Sequence, residues 1–293
     1  LEGYTPESAA LQELQPELAD RWIQSRLQRV IDAVRQALEA YAFNEAAHVL
    51  YHFVWHELCD WYIELVKLRL EGRVEEKETA RQVLFRVLET TFRLLHPFMP
   101  FVTEELWQHL PHTGESIMIA PYPEKEAAWV DQQAEQEMQF LQAVITGIRN
   151  IRGEMNLAPS QKITALINAP SPASRTLLQN HASYISHLAL VESLSIGEGI
   201  AKPPSAATAV VGEVEIYVPL AGLIDFAAEE RRLRKELARV EKDRQASGAK
   251  LANTQFLSRA PAEVITKERE KYQQLEQKYQ KLVAALQRLA ELQ

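Results

Sequence analysis

The sequence predicts a mainly α-helical chain: a helical bundle, then a small α+β unit, then an antiparallel coiled-coil hairpin at the C-terminus. Three observations lead there. Apolar residues recur at helical spacing from Pro16 to about residue 152. Short runs bounded by turn residues, partly β-branched, replace that pattern over 153–226. Residues 227–293 then carry an apolar seam on a charged background.

In the first helix, PELADRWIQSRLQRVIDAVRQALEAY, apolar side chains fall at 23, 27, 30, 31, 34, 38 and 41, and Pro16 or Asp20 opens it. A second helix is expected over about 43–70, broken by Gly72, and a third, with the inner stripe Val83, Val87, Thr90 and Leu94, runs to Pro97. PFMPFVTEELWQHLP gives a short helix between prolines, with Glu104 and Glu105 as solvated early-helix carboxylates. Residues 111–128 read as a loop containing an extended piece, SIMIAPYP, before a fifth helix at about 131–152. KITALINA is a strand ended by Pro170 and Pro172, SRTLLQNHASYISHLA a helix, and VESLSIG, ATAVVG and EVEIYVPL three further strands.

The seam is Tyr272, Leu275, Tyr279, Leu282, Leu286 and Leu289, spaced 3-4-3-4-3. Its partner half shows Leu233, Leu237 and Val240, then weakens at Arg244, Ser247 and Leu251. Pro261 opens the second helix. Arms of roughly 27 to 30 residues correspond to about 40–45 Å. The expected divisions are a linker at 1–15, the bundle at 16–152, the α+β unit at 153–226 and the hairpin at 227–293.

With 46% hydrophobic residues the chain is too apolar for disorder. A single cysteine excludes an intrachain disulfide framework and suits a reducing compartment. No apolar run approaches the ~18 residues of a membrane span, and nothing at the N-terminus reads as a signal peptide. A start at Leu1 rather than Met is expected of a piece of a longer protein. The net charge of −8 is uneven: residues 227–293 hold 15 Lys+Arg against 10 Asp+Glu, and the other 226 hold 17 against 30. A basic arm on an acidic body points to a polyanion contact.

HVLYHFVWHELCDWY, residues 48–62, has the look of a metal site, with His48, His52 and His56 four apart and Cys59 three further on. Opposite them runs an apolar stripe of Ala47, Leu50, Val54, Leu58, Trp61, Leu65 and Leu68. The histidine face is itself apolar, with Val49, Trp55, Tyr62, Ile63 and Val66, which implies a helix buried between neighbours and histidines bonded within the core. Zinc needs three or four converging ligands, and neither paired cysteines nor an H-E-x-x-H motif is present. Phosphate-cradle and nucleophile-elbow motifs are also missing, so the residues by themselves describe a binding module.

LADRWIQSRL, FNEAAHVLYHFVWHELCDWYIELVK and LLHPFMPFVTEELWQHLP together resemble the anticodon-binding region of the class I aminoacyl-tRNA synthetases of the aliphatic amino acids. IRNIRGEMNLAPSQKI and FLSRAPAEVITKEREKYQQL are similar to signatures of the valyl-tRNA synthetase family. The lone cysteine cannot build the terminal zinc cluster of the isoleucyl family, and the leucyl family does not normally end in such a hairpin. The resemblance runs from about residue 16 to the end.

The resemblance implies that the bundle reads a tRNA anticodon, with Arg21, Arg26, Phe43 and Asn44 favoured over Trp22 and Trp107, which suit the core. It implies a hairpin that grips the tRNA outer corner through Arg244, Lys250, Arg259, Lys267, Arg269 and Lys271. Arg149 and Arg152 face the RNA or pair internally. The H-I-G-H-like and K-M-S-K-S-like motifs of the family's catalytic fold are absent. No catalysis, cofactor or metal is therefore expected of this chain; ATP and magnesium belong to the catalytic region. The expected partner is valine tRNA, the chain a cytoplasmic monomer without a membrane role. A protein-interaction or oligomerisation module using the hairpin is the alternative, and a metalloprotein built on His48, His52 and Cys59 a third.

Overall fold

The computed structural model describes residues 16–71, 74–223, 226–254 and 261–291; the expected linker at 1–15 lies outside the described residues. The fold is mainly helical, with a small open sheet and a C-terminal helical hairpin. It divides into two compact units, Leu1–Ala143 and Val144–Gln293.

In the first unit, α1 (Leu18–Glu39) starts at a capping box, in which Glu17 and Asp20 accept each other's backbone N–H groups. The predicted stripe Ile23, Leu27, Val30, Ile31 and Val34 is buried. Tyr41 departs from it: the helix has ended, the residue sits at φ 57°, and its side chain is 80% exposed. Asp20 and Arg69 form a buried ion pair, to which the Tyr62 hydroxyl donates at 2.9 Å on the carboxylate side and Glu17 adds a second carboxylate 3.3 Å from Arg69.

The second predicted helix is one run in three parts: α2 (Phe43–His52), a π-helical segment (Phe53–Tyr62) and α3 (Ile63–Leu70). The wider π turns, bonded i to i+5, shift the buried set to Ala46, Leu50, Phe53, Leu58, Tyr62, Leu65 and Val66. The expected stripe thus holds only at Leu50, Leu58 and Leu65 among the fully buried positions. Tyr62, expected among the histidines, is fully buried, while His48, His52 and His56 are exposed, which corrects the packed-core expectation for them.

α4 (Val74–Leu95) and α5 (Pro100–Gln108) follow as expected, α5 with proline in its first turn. SIMIAPYP differs from its expected extended form. Ser116 accepts the Met118 N–H and donates to Glu104 at 2.6 Å, drawing Ile117–Ile119 into a 3₁₀ turn. The rest of the loop is tied to the helices by Arg35 and Arg93, which donate to the Pro123 and Pro121 carbonyls, and by Arg86, which pairs with Glu126 at 2.6 Å. α6 (Gln132–Glu154) ends the series.

In the second unit, β1 (Ile163–Asn168), β2 (Val191–Gly197), β3 (Ala206–Val211) and β4 (Val214–Pro219) form a sheet of order β2-β1-β4-β3. β1 and β2 are parallel, joined through α7 (Pro172–Asn180) and α8 (Ala182–Ala189); the other pairings are antiparallel. The single helix expected here is interrupted at His181, whose φ of −114° and ψ of 26° are not helical. At Gly147 of α6 a Cβ would meet Ile216 of β4 at 3.2 Å, so the missing side chain allows this close approach. Arg152 donates to the carbonyls of Gln161, Ala158 and Pro159, and Arg149 to that of Leu188, so both pair internally.

α9 (Phe226–Ala252) and α10 (Ala262–Glu291) form the hairpin. Glu236–Lys278, Arg244–Glu276 and Lys250–Glu268 pair across it in antiparallel order. Leu233, Val240, Leu282 and Leu289 are its core, flanked by Leu237 and by Leu275, Tyr279 and Leu286 of the predicted seam.

Removing the charge at Arg69 tests the buried pair. Arg69→Met leaves the Asp20 carboxylate unpaired in the interior and is expected to cost about 3–5 kcal/mol of stability in urea unfolding. Arg69→Met with Asp20→Asn should lose less than Arg69→Met alone.

Candidate nucleic-acid interface

α1 presents Arg21, Arg26 and Arg29, and each is taken by carboxylates of other segments. Arg21 donates to Asp131 at 2.8 Å and lies 3.7 Å from Glu137. Arg26 makes a two-pronged bond to Glu57, at 2.7 and 3.0 Å, and lies 3.7 Å from Glu135. Arg29 holds Glu135 at 2.8 and 2.9 Å, and the Ser25 hydroxyl donates to the same carboxylate. The Glu57 bond raises the Arg26 pKa above its ordinary value and keeps the guanidinium charged. Burial works against the charged form of Glu135, but the bonds from Ser25 and Arg29 outweigh it and hold its carboxyl below the ordinary 4.5.

Beside these pairs, α1, the His52–Trp61 stretch and α6 enclose a cleft of about 340 Å³. Trp22 and Trp61 line it with Arg26 and Glu57, the imidazoles of His52 and His56 and the amides of Gln139 and Gln142. Outside it, Tyr51 and Trp55 stack with ring centres 6.4 Å apart and planes within 7°. Tyr51 also meets His56 edge-on at 6.0 Å. Solvent-facing aromatic planes can stack unpaired bases. Tyr51 was not among the residues expected to touch RNA; its spacing of four from Trp55, on a face carrying histidines, was the available signal.

Of the favoured anticodon residues, Phe43 and Asn44 are exposed at the start of α2, with Phe43 edge-on to Tyr41. Arg21 and Arg26 are engaged in the ion pairs above. Trp22 and Trp107 are core residues, Trp107 donating to Glu89 at 3.2 Å. On the hairpin, Arg244 is bound to Glu276 and Glu241, which raise its pKa above the ordinary value, and it stacks over Tyr279 at 4.4 Å. Lys250 lies 3.8 Å from the largely covered Glu268, and Lys267 makes a surface pair with Glu263. Arg269 and Lys271 are exposed and form no ion pair among the described residues. Arg259 lies outside the described residues.

Among the described residues no group of three or more His, Cys, Asp or Glu side chains is placed to hold a metal ion. His52 lies 3.7 Å from Glu57 and His56 3.3 Å from Asp60. Cys59 is half-buried, and burial, with the charge of Asp60, pushes its thiol pKa up. No described helix is long and apolar enough to cross a membrane.

Residues 20–167, just over half of the chain, match the family model of the anticodon-binding domain of tRNA ligases. The chain belongs to that family. Downstream of this anticodon-binding domain, residues 225–290 match the valyl tRNA synthetase tRNA binding arm. A valine–tRNA ligase of Geobacter sulfurreducens is 47% identical over the whole chain, which covers 33% of that protein. One of Syntrophotalea carbinolica is 45% identical with the same coverage. One of Geobacillus stearothermophilus is 43% identical over 94% of the chain and 31% of its own length. The chain thus spans about a third of the length of these relatives.

The lowered Glu135 value sets a pH dependence. Its ion pairs stabilise the anticodon-binding domain fully above about pH 4.5 and less as pH falls through the lower folded value. Glu135→Gln should melt below the unsubstituted chain at pH 7, and the gap should close as the solution is acidified. Thermal melts at stepped pH measure this.

Proposed function

We propose that this chain is the tRNA-binding C-terminal part of a valine–tRNA ligase and that valine tRNA is its partner. The observation that carries the reading is the serial match of an anticodon-binding domain and a tRNA-binding arm on one polypeptide. In this reading residues 16–152 read the anticodon, 153–226 join the bundle to the arm, 227–293 grip the outer corner of the tRNA, and 1–15 link to the catalytic region. Phe43 and Asn44 touch the RNA directly, while Arg21 and Arg26 shape the surface beside them. On the arm, Arg269 and Lys271 are the strongest phosphate contacts. Lys250 and Lys267 assist; the exposed Lys267–Glu263 pair is worth little and exchanges readily for phosphate. Arg244 supports the hairpin, and Arg259 completes the basic stretch. ATP and magnesium serve the catalytic region, the protein works in the cytoplasm, and this chain is a monomer.

Gel-shift titration tests the reading. Valine tRNA should bind with an affinity that falls steeply as salt rises, and anticodon substitution should weaken it. Arg269→Glu with Lys271→Glu should weaken binding to wild-type and anticodon-substituted tRNA alike and flatten the log–log salt dependence by about one to two. Equal affinity for valine tRNA and an unrelated duplex would end the proposal.

A further inference from the structure

We propose that an apolar surface of the first unit, made by α5 and the 3₁₀ turn Ile117–Ile119, is the seat on which the catalytic region of the ligase docks; this rests on the reading above that the chain is part of such a ligase. α5 is apolar on both sides. Thr103 and Trp107 are buried in the bundle, while Phe101, Val102 and Leu106 are exposed, Phe101 to 91%. A helix apolar all round is one that packs on both faces. The turn extends the surface. The Ser116 hydroxyl donates to Glu104 and the Gln108 amide to the Glu115 carbonyl at 3.0 Å, which holds Ile117–Ile119 alongside α5 with Ile117 buried and Met118 and Ile119 exposed. Met99, just before α5, is exposed as well.

Charge and area choose the occupant. Residues 94–124 contain no Lys or Arg and four glutamates, of which Glu105 is exposed, four residues on from Phe101 and next to Leu106. The bonds from Gln108 and Ser116 hold the Glu104 carboxyl below its ordinary 4.5, so it too is ionised at neutral pH. The segment therefore offers no permanent cation to an RNA phosphate or an anionic lipid headgroup. A second copy would set this acid-bearing patch against itself across a two-fold axis. The exposed side chains present on the order of 600 Å², less than the ~800 Å² that each partner of a freely associating complex covers. A tethered partner needs less area, because the linkage supplies a high effective concentration. About two thirds of the length of the matched ligases lies outside the part that this chain covers, which supplies a tethered occupant. Its docking face is apolar and carries Lys or Arg opposite Glu105.

Met99 and Met118 report on the surface, and the fully buried Met138 is the internal control. Peroxide oxidation read by peptide mass spectrometry is run on this chain and on the full-length ligase that carries it. Met99 and Met118 should oxidise roughly fivefold or more slowly in the ligase, and Met138 should resist in both. Phe101→Asp with Ile119→Asp, both on exposed side chains, should return Met118 in the ligase to the rate seen in this chain. Equal Met118 rates in the two unsubstituted proteins, or protection that survives the substitutions, overturns the docking surface. So does protection in this chain alone that grows with its concentration, the mark of a second copy, or that appears on adding valine tRNA. Valine tRNA bound normally by a ligase whose Met118 is unprotected ends the docking surface alone. Failure of both proteins to bind valine tRNA in the gel shift ends the reading it rests on.

Discussion

The bundle is organised by charge along one helix. α1 carries an acid, Asp20, that is paired in the interior with Arg69, and three bases, Arg21, Arg26 and Arg29, that reach carboxylates on the π-helical segment and at the start of α6. Such pairs add little net stability where they replace a good apolar contact, but losing one partner strands the other. They therefore fix which helices neighbour α1 and in what register. The amides and indoles of the cleft occupy the space this arrangement leaves open.

That constraint also explains what the sequence could not disclose. Arg21 and Arg26 have the residue type of RNA ligands, yet their partners lie 110 and 31 positions away, and no local pattern reveals them. The π turns are equally hidden. A stripe drawn at 3.6 residues per turn drifts off the real packing face as soon as bonds run from i to i+5, so Tyr62 moves inward and Trp61 turns toward the cleft. SIMIAPYP reads as extended in the sequence, and a serine cap decides for a tight turn.

Where packing follows a simple period, the sequence was readable. The stripe of α1 holds to Val34, the strand runs of the second unit form a sheet, and the seam positions Leu275, Tyr279, Leu282, Leu286 and Leu289 meet α9. The composition of the hairpin was less informative than its pairing. Its surplus of cations is partly consumed within it, as Arg244 and Lys278 bind glutamates across the helix pair. A count of charges could not separate these from Arg269 and Lys271.

The sole cysteine of the sequence sits in the π-helical segment, where burial and the neighbouring carboxylate hold its sulfur in the protonated form. A protonated sulfur is a poor nucleophile and oxidises slowly. Alkylating dyes should accordingly label the native chain more slowly than the denatured one.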